Sequence, residues 1–134
     1  MVLLALGTKS GNIMVYDFSS MMLIRSFKEH SEEISAICWS IDKSSSLVAV
    51  DGGNKISLWD VSKGEMMESC ILPSDQLARK VSAISLLDES KLALAAGDIR
   101  IFNMMQKEFS DIVRRYCLVG SLAVRPLVGC ATLS

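Results

Sequence analysis

The chain has 134 residues, 50% of them apolar, a mean hydropathy of +0.35 and a formal net charge of -1. That is enough apolar material for one packed domain and too much for a disordered segment. The near-zero charge excludes a bulk electrostatic footprint for nucleic acid or an anionic membrane. Cys38, Cys70, Cys117 and Cys130 stand far apart with no C-x-x-C pair, so zinc-ligand spacing is absent and buried reduced thiols are expected.

Short apolar runs follow one another along the chain, separated by Gly, Asn, Asp, Ser or Lys. The first, Met1–Leu6, is too short for a signal-peptide core and lacks a basic start. Ile34–Trp39 alternates apolar with small residues, which suits a half-buried strand. A turn at 42–46 leads to Leu47-Val48-Ala49-Val50, apolar on both faces and expected to be sandwiched between layers. Asp51-Gly52-Gly53-Asn54 is the tightest turn signal, because Gly and Asn tolerate positive φ. Ile56–Trp59 alternates again, and a turn at 61–64 leads to a fourth run, 66–72. Val81–Ile84, Leu92–Ala95 and Ile99–Phe102 then repeat the order. The tail, 111–134, loses the pattern and is interrupted by Arg114-Arg115 and Arg125-Pro126; it is too broken to span a membrane.

Two series give the period. Leu4-Ala5-Leu6, Val48-Ala49-Val50 and Leu92-Ala93-Leu94 recur at an interval of 44 residues, and Tyr16-Asp17, Trp59-Asp60 and Phe102-Asn103 at 43. An aromatic followed by Asp or Asn at this period marks a repeat array, and four strands per unit match a propeller blade of roughly 40–45 residues. Packing explains the residue types. Small residues such as Ala5, Ala49 and Ala93 are expected at equivalent buried positions where sheets approach. Tyr16, Trp59 and Phe102 would fill the wider gap near the outside, and Asp17 and Asp60 would cap the turns after them. The expected fold is all-β: a partial propeller of about two and a half to three four-stranded antiparallel blades over 1–110, with an irregular apolar tail over 111–134.

Trp59-Asp60 ends an Ile-x-Leu-Trp-Asp strand, and Phe27-Lys28-Glu29-His30 precedes it at close to the usual Gly-His to Trp-Asp spacing. Over residues 3–106 the chain resembles the WD-repeat β-propeller family. Glu29 stands where that family has Gly, Tyr16 and Phe102 where it has Trp, and the third unit has no His. The structural His–Ser/Thr–Asp–Trp network that the resemblance implies is therefore expected to be incomplete in every unit. Propellers close with four to eight blades, so the chain is expected to be a piece of a larger propeller, with a partner covering its open edges as the alternative.

No catalytic constellation is read. His30 is the one histidine and is expected to serve a turn. Asp17, Asp42, Asp51, Asp60, Asp75 and Asp88 fall at turns or strand ends, where solvated capping is the default. The methionine pairs 21–22, 66–67 and 104–105 are expected to fill core or edge positions, and no cofactor, metal or small-molecule site is assigned. What remains is a non-enzymatic interaction scaffold binding proteins of a larger complex, with RNA reached only indirectly and no membrane. The stretches Leu3–Tyr16 and Val81–Phe102 look like those of nucleolar WD-repeat subunits of the small-subunit processome. That resemblance implies a role in pre-rRNA particle assembly and a nucleolar location. The alternative is a generic adaptor, such as a ubiquitin-ligase substrate receptor or trafficking scaffold, elsewhere in the cytoplasm or nucleus.

Overall fold

The structure, a computed structural model, describes residues 2–40, 45–88, 90–113, 122–125 and 130–133. Three antiparallel sheets follow the chain, each a simple meander. The first blade is β1 (Leu3–Gly7), β2 (Ile13–Asp17) and β3 (Met22–Phe27). The second is β4 (Ile34–Trp39), β5 (Ser46–Asp51), β6 (Lys55–Asp60) and β7 (Glu65–Ile71). The third is β8 (Ala83–Leu86), β9 (Lys91–Ala95), β10 (Ile99–Asn103) and β11 (Glu108–Val113). The protein is thus an all-β partial propeller. β11 runs past the 110/111 division expected from sequence. The region expected to be an irregular tail contains a further hairpin, β12 (Leu122–Arg125) with β13 (Cys130–Leu133). β12 lies against β8 as β8 lies against β4, where a fourth blade would begin.

The three repeats superpose through one local device. After Asp17, Asp60 and Asn103 the side-chain oxygen accepts backbone N–H groups two or three residues on, and the chain takes positive φ at Met21 (56°), Gly64 (71°) and Lys107 (57°). A β-bulge sits immediately before the aromatic in each blade, between Val15 and Tyr16, Leu58 and Trp59, and Ile101 and Phe102. Tyr16, Trp59 and Phe102 are therefore equivalent, and they pair with Leu4, Leu47 and Leu92.

This register corrects the alanine series. Ala5 and Ala93 are equivalent to Val48, and Ala49 stands one residue further on, at the place of Leu6. The reason is physical. β5 is buried on both faces, with Leu47, Val48, Ala49 and Val50 all at 0% exposure, so alternation does not mark which residue faces which way. The three alanines also differ in burial: Ala49 and Ala93 are buried, while Ala5 is half-exposed.

Two cores fill the spaces between sheets. Ile13, Val15 and Phe27 of the first blade pack on Leu47, Ala49 and Trp59 of the second. Val48, Val50 and Ile56 on the opposite face pack on Ile84, Leu86, Leu92, Leu94 and Phe102 of the third. Gly7 permits the first of these approaches: a Cβ there would sit 2.3 Å from Ile34 Cγ2. Outer-strand Arg25 ties the same two blades at the rim, donating from Nε to the Val61 carbonyl (2.9 Å) and from Nη2 to that of Ser62 (2.8 Å).

Candidate functional site

His30 lies in the loop between β3 and β4, Asp51 at the end of β5, and Ser57 and Trp59 on one face of β6. Trp59 Nε1–H donates to Ser57 Oγ (2.7 Å), and Ser57 Oγ lies 2.6 Å from His30 Nε2, while His30 Nδ1 lies 2.8 Å from Asp51 Oδ2. One proton arrangement satisfies every member: the Ser57 hydroxyl donates to Nε2, and Nδ1–H donates to the carboxylate. This tautomer is assigned from the network. Asp51 Oδ1 is used as well, accepting from the N–H groups of Gly53 (2.8 Å) and Lys55 (3.0 Å).

The network is complete in the second blade, which corrects the expectation that none would be. Glu29 in place of Gly does not disturb it, because the glycine the loop needs is Gly11: at φ +90°, a Cβ there would lie 2.2 Å from the His30 carbonyl oxygen. Asp51 is likewise not a solvated cap; it is 2% exposed. In the first blade the Ser57 position is Met14, whose sulfur receives only a weak contact from the Tyr16 hydroxyl at 3.9 Å, and in the third it is Arg100.

A Ser–His–Asp series at these distances has the connectivity of a catalytic triad. Its burial decides its role. Ser57 is 0% exposed, His30 5% and Trp59 4%, and the Ser57 oxygen already accepts the indole N–H. An acyl substrate could not reach that oxygen without unfolding the blade contact. The set is a structural lock.

The other positions singled out in the sequence separate by role. Phe102 is fully buried and meets Phe109 edge-on at 5.3 Å, and Arg100 lies over the Phe109 ring. Tyr16 faces away from the second blade and is half-buried. Asp17 and Asp60 are turn caps in solvent, held below the usual carboxylate range by the Ser19 and Ser62 hydroxyls respectively. Asp88 caps the β8–β9 turn in the same way and is lowered by the N–H of Ser90. Burial pushes the Cys38 thiol up to about 12 and raises that of Cys70. Asp42 and the whole of Cys117 lie outside the described residues. Of the methionine pairs only Met104 is in the core, while Met21, Met22, Met66, Met67 and Met105 line an exposed rim. Among the described residues there is no group of three or more His, Cys, Asp or Glu placed to hold a metal, and no helix long and apolar enough to cross a membrane.

Apolar surface is left open on the far side of the first blade. Leu6 (46%) is exposed there beside Leu4, Met14 and Tyr16, whose counterparts in the second blade, Ala49, Leu47, Ser57 and Trp59, are all buried, and Leu23 (48%) adjoins them at the rim, as exposed Met66 does in the second blade. Between the second and third blades a cleft of about 210 Å³ is lined by Leu58, Met67, Leu86 and Met104, with Ser46 and Asp88 at its polar side.

Stacked four-stranded meanders with an aromatic-Asp strand end and a buried His–Asp–Ser–Trp lock define a WD-repeat β-propeller protein. Within that class, the model of the anaphase-promoting complex subunit 4 WD40 domain matches residues 1–89, and the chain belongs to that family. Solved structures share the fold. The β-propeller domain of Cps50 (Swd1) from Myceliophteria thermophila is 20% identical with a TM-score of 0.67, covering 84% of this chain and 34% of that one. A chain of the mitotic checkpoint complex is 15% identical with a TM-score of 0.75, covering 98% and 42%. U3-55K is 17% identical with a TM-score of 0.68, covering 81% and 32%. The chain thus spans 32% to 42% of the length of these propeller chains.

Proposed function

We propose that the chain is a non-enzymatic scaffold that holds other proteins of a multisubunit assembly through its loop ends and strand edges. The observation that carries this is the contrast between its sealed Ser57–His30–Asp51 set and its open apolar rim. Reactive-looking chemistry is shut inside, and contact surface is left outside, where patches of this kind mark protein interaction sites. Membership in the anaphase-promoting complex subunit 4 WD40 family supports a place in an assembly of that kind. RNA would be reached through protein partners, since a net charge of -1 supplies little counterion release.

The Leu3–Tyr16 and Val81–Phe102 stretches favour a second reading, a nucleolar subunit that helps assemble pre-rRNA particles. The likeness to U3-55K supports that reading at the level of fold. Affinity purification of the full-length parent protein, with its partners identified by mass spectrometry, decides between the two. Stoichiometric recovery of anaphase-promoting complex subunits is expected on the first reading. Small-subunit processome proteins, nucleolar concentration and disturbed pre-rRNA processing on depletion are expected on the second. A parent protein recovered without stoichiometric partners overturns the scaffold itself.

A further inference from the structure

We propose that the cleft between the second and third blades is a receptor for one tryptophan side chain presented by a partner protein. The proposal rests on the scaffold reading for its purpose and deepens it by naming what is gripped. Ser46, Leu58 and Met67 of the cleft come from the second blade, and Leu86, Asp88 and Met104 from the third, so both walls are internal to the array.

The joint between the first and second blades shows what this one lacks. The repeat register makes Leu3 equivalent to Ser46, and Trp39 to Leu86. Leu3 and Trp39 both pack on the apolar cluster of the first joint. At the second joint a hydroxyl and a shorter side chain stand in their places, and about 210 Å³ stays open. The outer strand registers the difference: Met67, the bulged residue of β7, is 58% exposed, against 39% for its equivalent Ile24. An opening of this size exceeds what one water needs and falls short of the roughly 300–1,000 Å³ of small-molecule pockets. One large side chain fits it.

The polar atoms of the cleft select which one. Ser46 is 9% exposed, and among the described residues its hydroxyl has no hydrogen-bond partner, a costly state for a buried polar group. Asp88 gives Oδ1 to Ser90 and to the Lys91 N–H, and none of the described groups bonds its Oδ2. Ser46 Oγ and Asp88 Oδ2 can both accept, so the occupant should bring a donor. The Lys91 ammonium lies close enough to offset the Asp88 charge, which favours a neutral donor over a second cation. Tryptophan joins a large apolar body to one N–H and carries no acceptor of its own. Met67 and Met104 add the thioether contacts that aromatic rings favour. The chain already contains the bond required: Trp59 Nε1–H donates to the Ser57 hydroxyl at 2.7 Å.

The full chain, with isotope-labelled methionine methyl groups, is titrated with N-acetyl-tryptophanamide, and the Met67 and Met104 methyl signals are followed by NMR. N-acetyl-leucinamide and N-acetyl-argininamide are the comparison probes. The tryptophan probe is expected to shift both methyls through its ring current. It should bind about tenfold more tightly than the other two, the gain from added apolar contact and one buried hydrogen bond. Leu86→Trp, which copies Trp39, and Ser46→Leu, which copies Leu3, each fill the cleft from within, and a folded variant of either kind should lose the response. No shift at Met67 and Met104 in the parent chain overturns the site. Equal binding of the leucine probe, or tighter binding of the arginine probe, overturns the assignment to tryptophan. An undiminished response in a folded variant places the probe elsewhere and overturns the site as well. Each of these failures leaves the purification result standing, so the two readings fail separately.

Discussion

Phe27 and Trp59 stack with ring centroids 4.1 Å apart and planes 15° from parallel, although they belong to different blades. Phe27 closes the outer strand of the first blade; Trp59 ends the third strand of the second. The indole is fixed at its other end by its bond to Ser57, so one ring joins an apolar stack to a polar lock. The aromatic-Asp repeat is thus a joint between sheets as well as a feature within one.

Trp59→Ala and Phe102→Ala are each expected to cost about 3–5 kcal/mol, as large-to-small changes in a packed core do. Tyr16→Ala, at the equivalent position with none of the described sheets on its outer face, should stay within about 1 kcal/mol. Urea unfolding of the three variants checks this. Equal losses at all three positions would show that the outer face of the first blade is covered in solution.

Ser57→Ala removes the hinge of the lock and leaves His30 Nε2 and the Trp59 N–H buried without partners. Two orphaned groups predict a loss of about 2–4 kcal/mol in a chemical melt. A loss below about 0.5 kcal/mol would mean that water enters and replaces the hydroxyl.

Asp17, Asp60 and Asp88 all have carboxyls lowered by turn hydrogen bonds. A lowered native value means that the unfolded state binds protons first as pH falls. The stabilisation is therefore present above the unfolded value of 3.8 and is lost as pH drops through the lower native one. Asp60→Asn and Asp88→Asn keep the acceptor oxygen and remove the titration. Each variant should be less stable than the parent chain at neutral pH, where the ionised carboxylate contributes, and should show a shallower loss of stability below pH 3.8. An unchanged acid slope would show that these turns do not contribute to the acid limb.

Cys38, with its thiol pushed up to about 12, should resist alkylation in the native chain at neutral pH. Cys70, half-buried, should react faster than Cys38 yet slower than an exposed thiol. Mass spectrometry of digests after timed labelling reads both sites separately. Labelling of Cys38 at the rate of Cys70 would place it outside the core.

Period and strand order were legible because they rest on local chemistry. Asp60 after Trp59, and glycines and Asn54 after Asp51, specify turns wherever they occur. The lock was half legible. His30 and Trp59 stood out as residue types, but Asp51 read as one more turn carboxylate and Ser57 as a small residue in an alternating strand. Ser57 is two residues before Trp59 and so shares its face, and that spacing was the signal available. The face occupied by Ala49 was not legible, because a strand buried on both sides carries no alternation to show its phase. The β12–β13 hairpin was missed for another reason. Leu122-Ala123-Val124 is a weak echo of Ser35-Ala36-Ile37, with no aromatic-Asp strand end after it to mark the repeat.

The meander has a consequence in time. Each strand pairs with its neighbour in sequence, so a blade needs only short loops to close, and such local order favours rapid assembly. The lock is different: His30 waits for Asp51, 21 residues later, and for Ser57, 27 residues later. On a ribosome delivering the chain from its N-terminus, the first blade is paired before its loop has anything to hold. The join is sealed when the third strand of the second blade emerges. The buried histidine is a latch that synthesis sets late, and a force-sensing arrest peptide placed progressively further along the nascent chain would register its closure after Trp59 clears the exit.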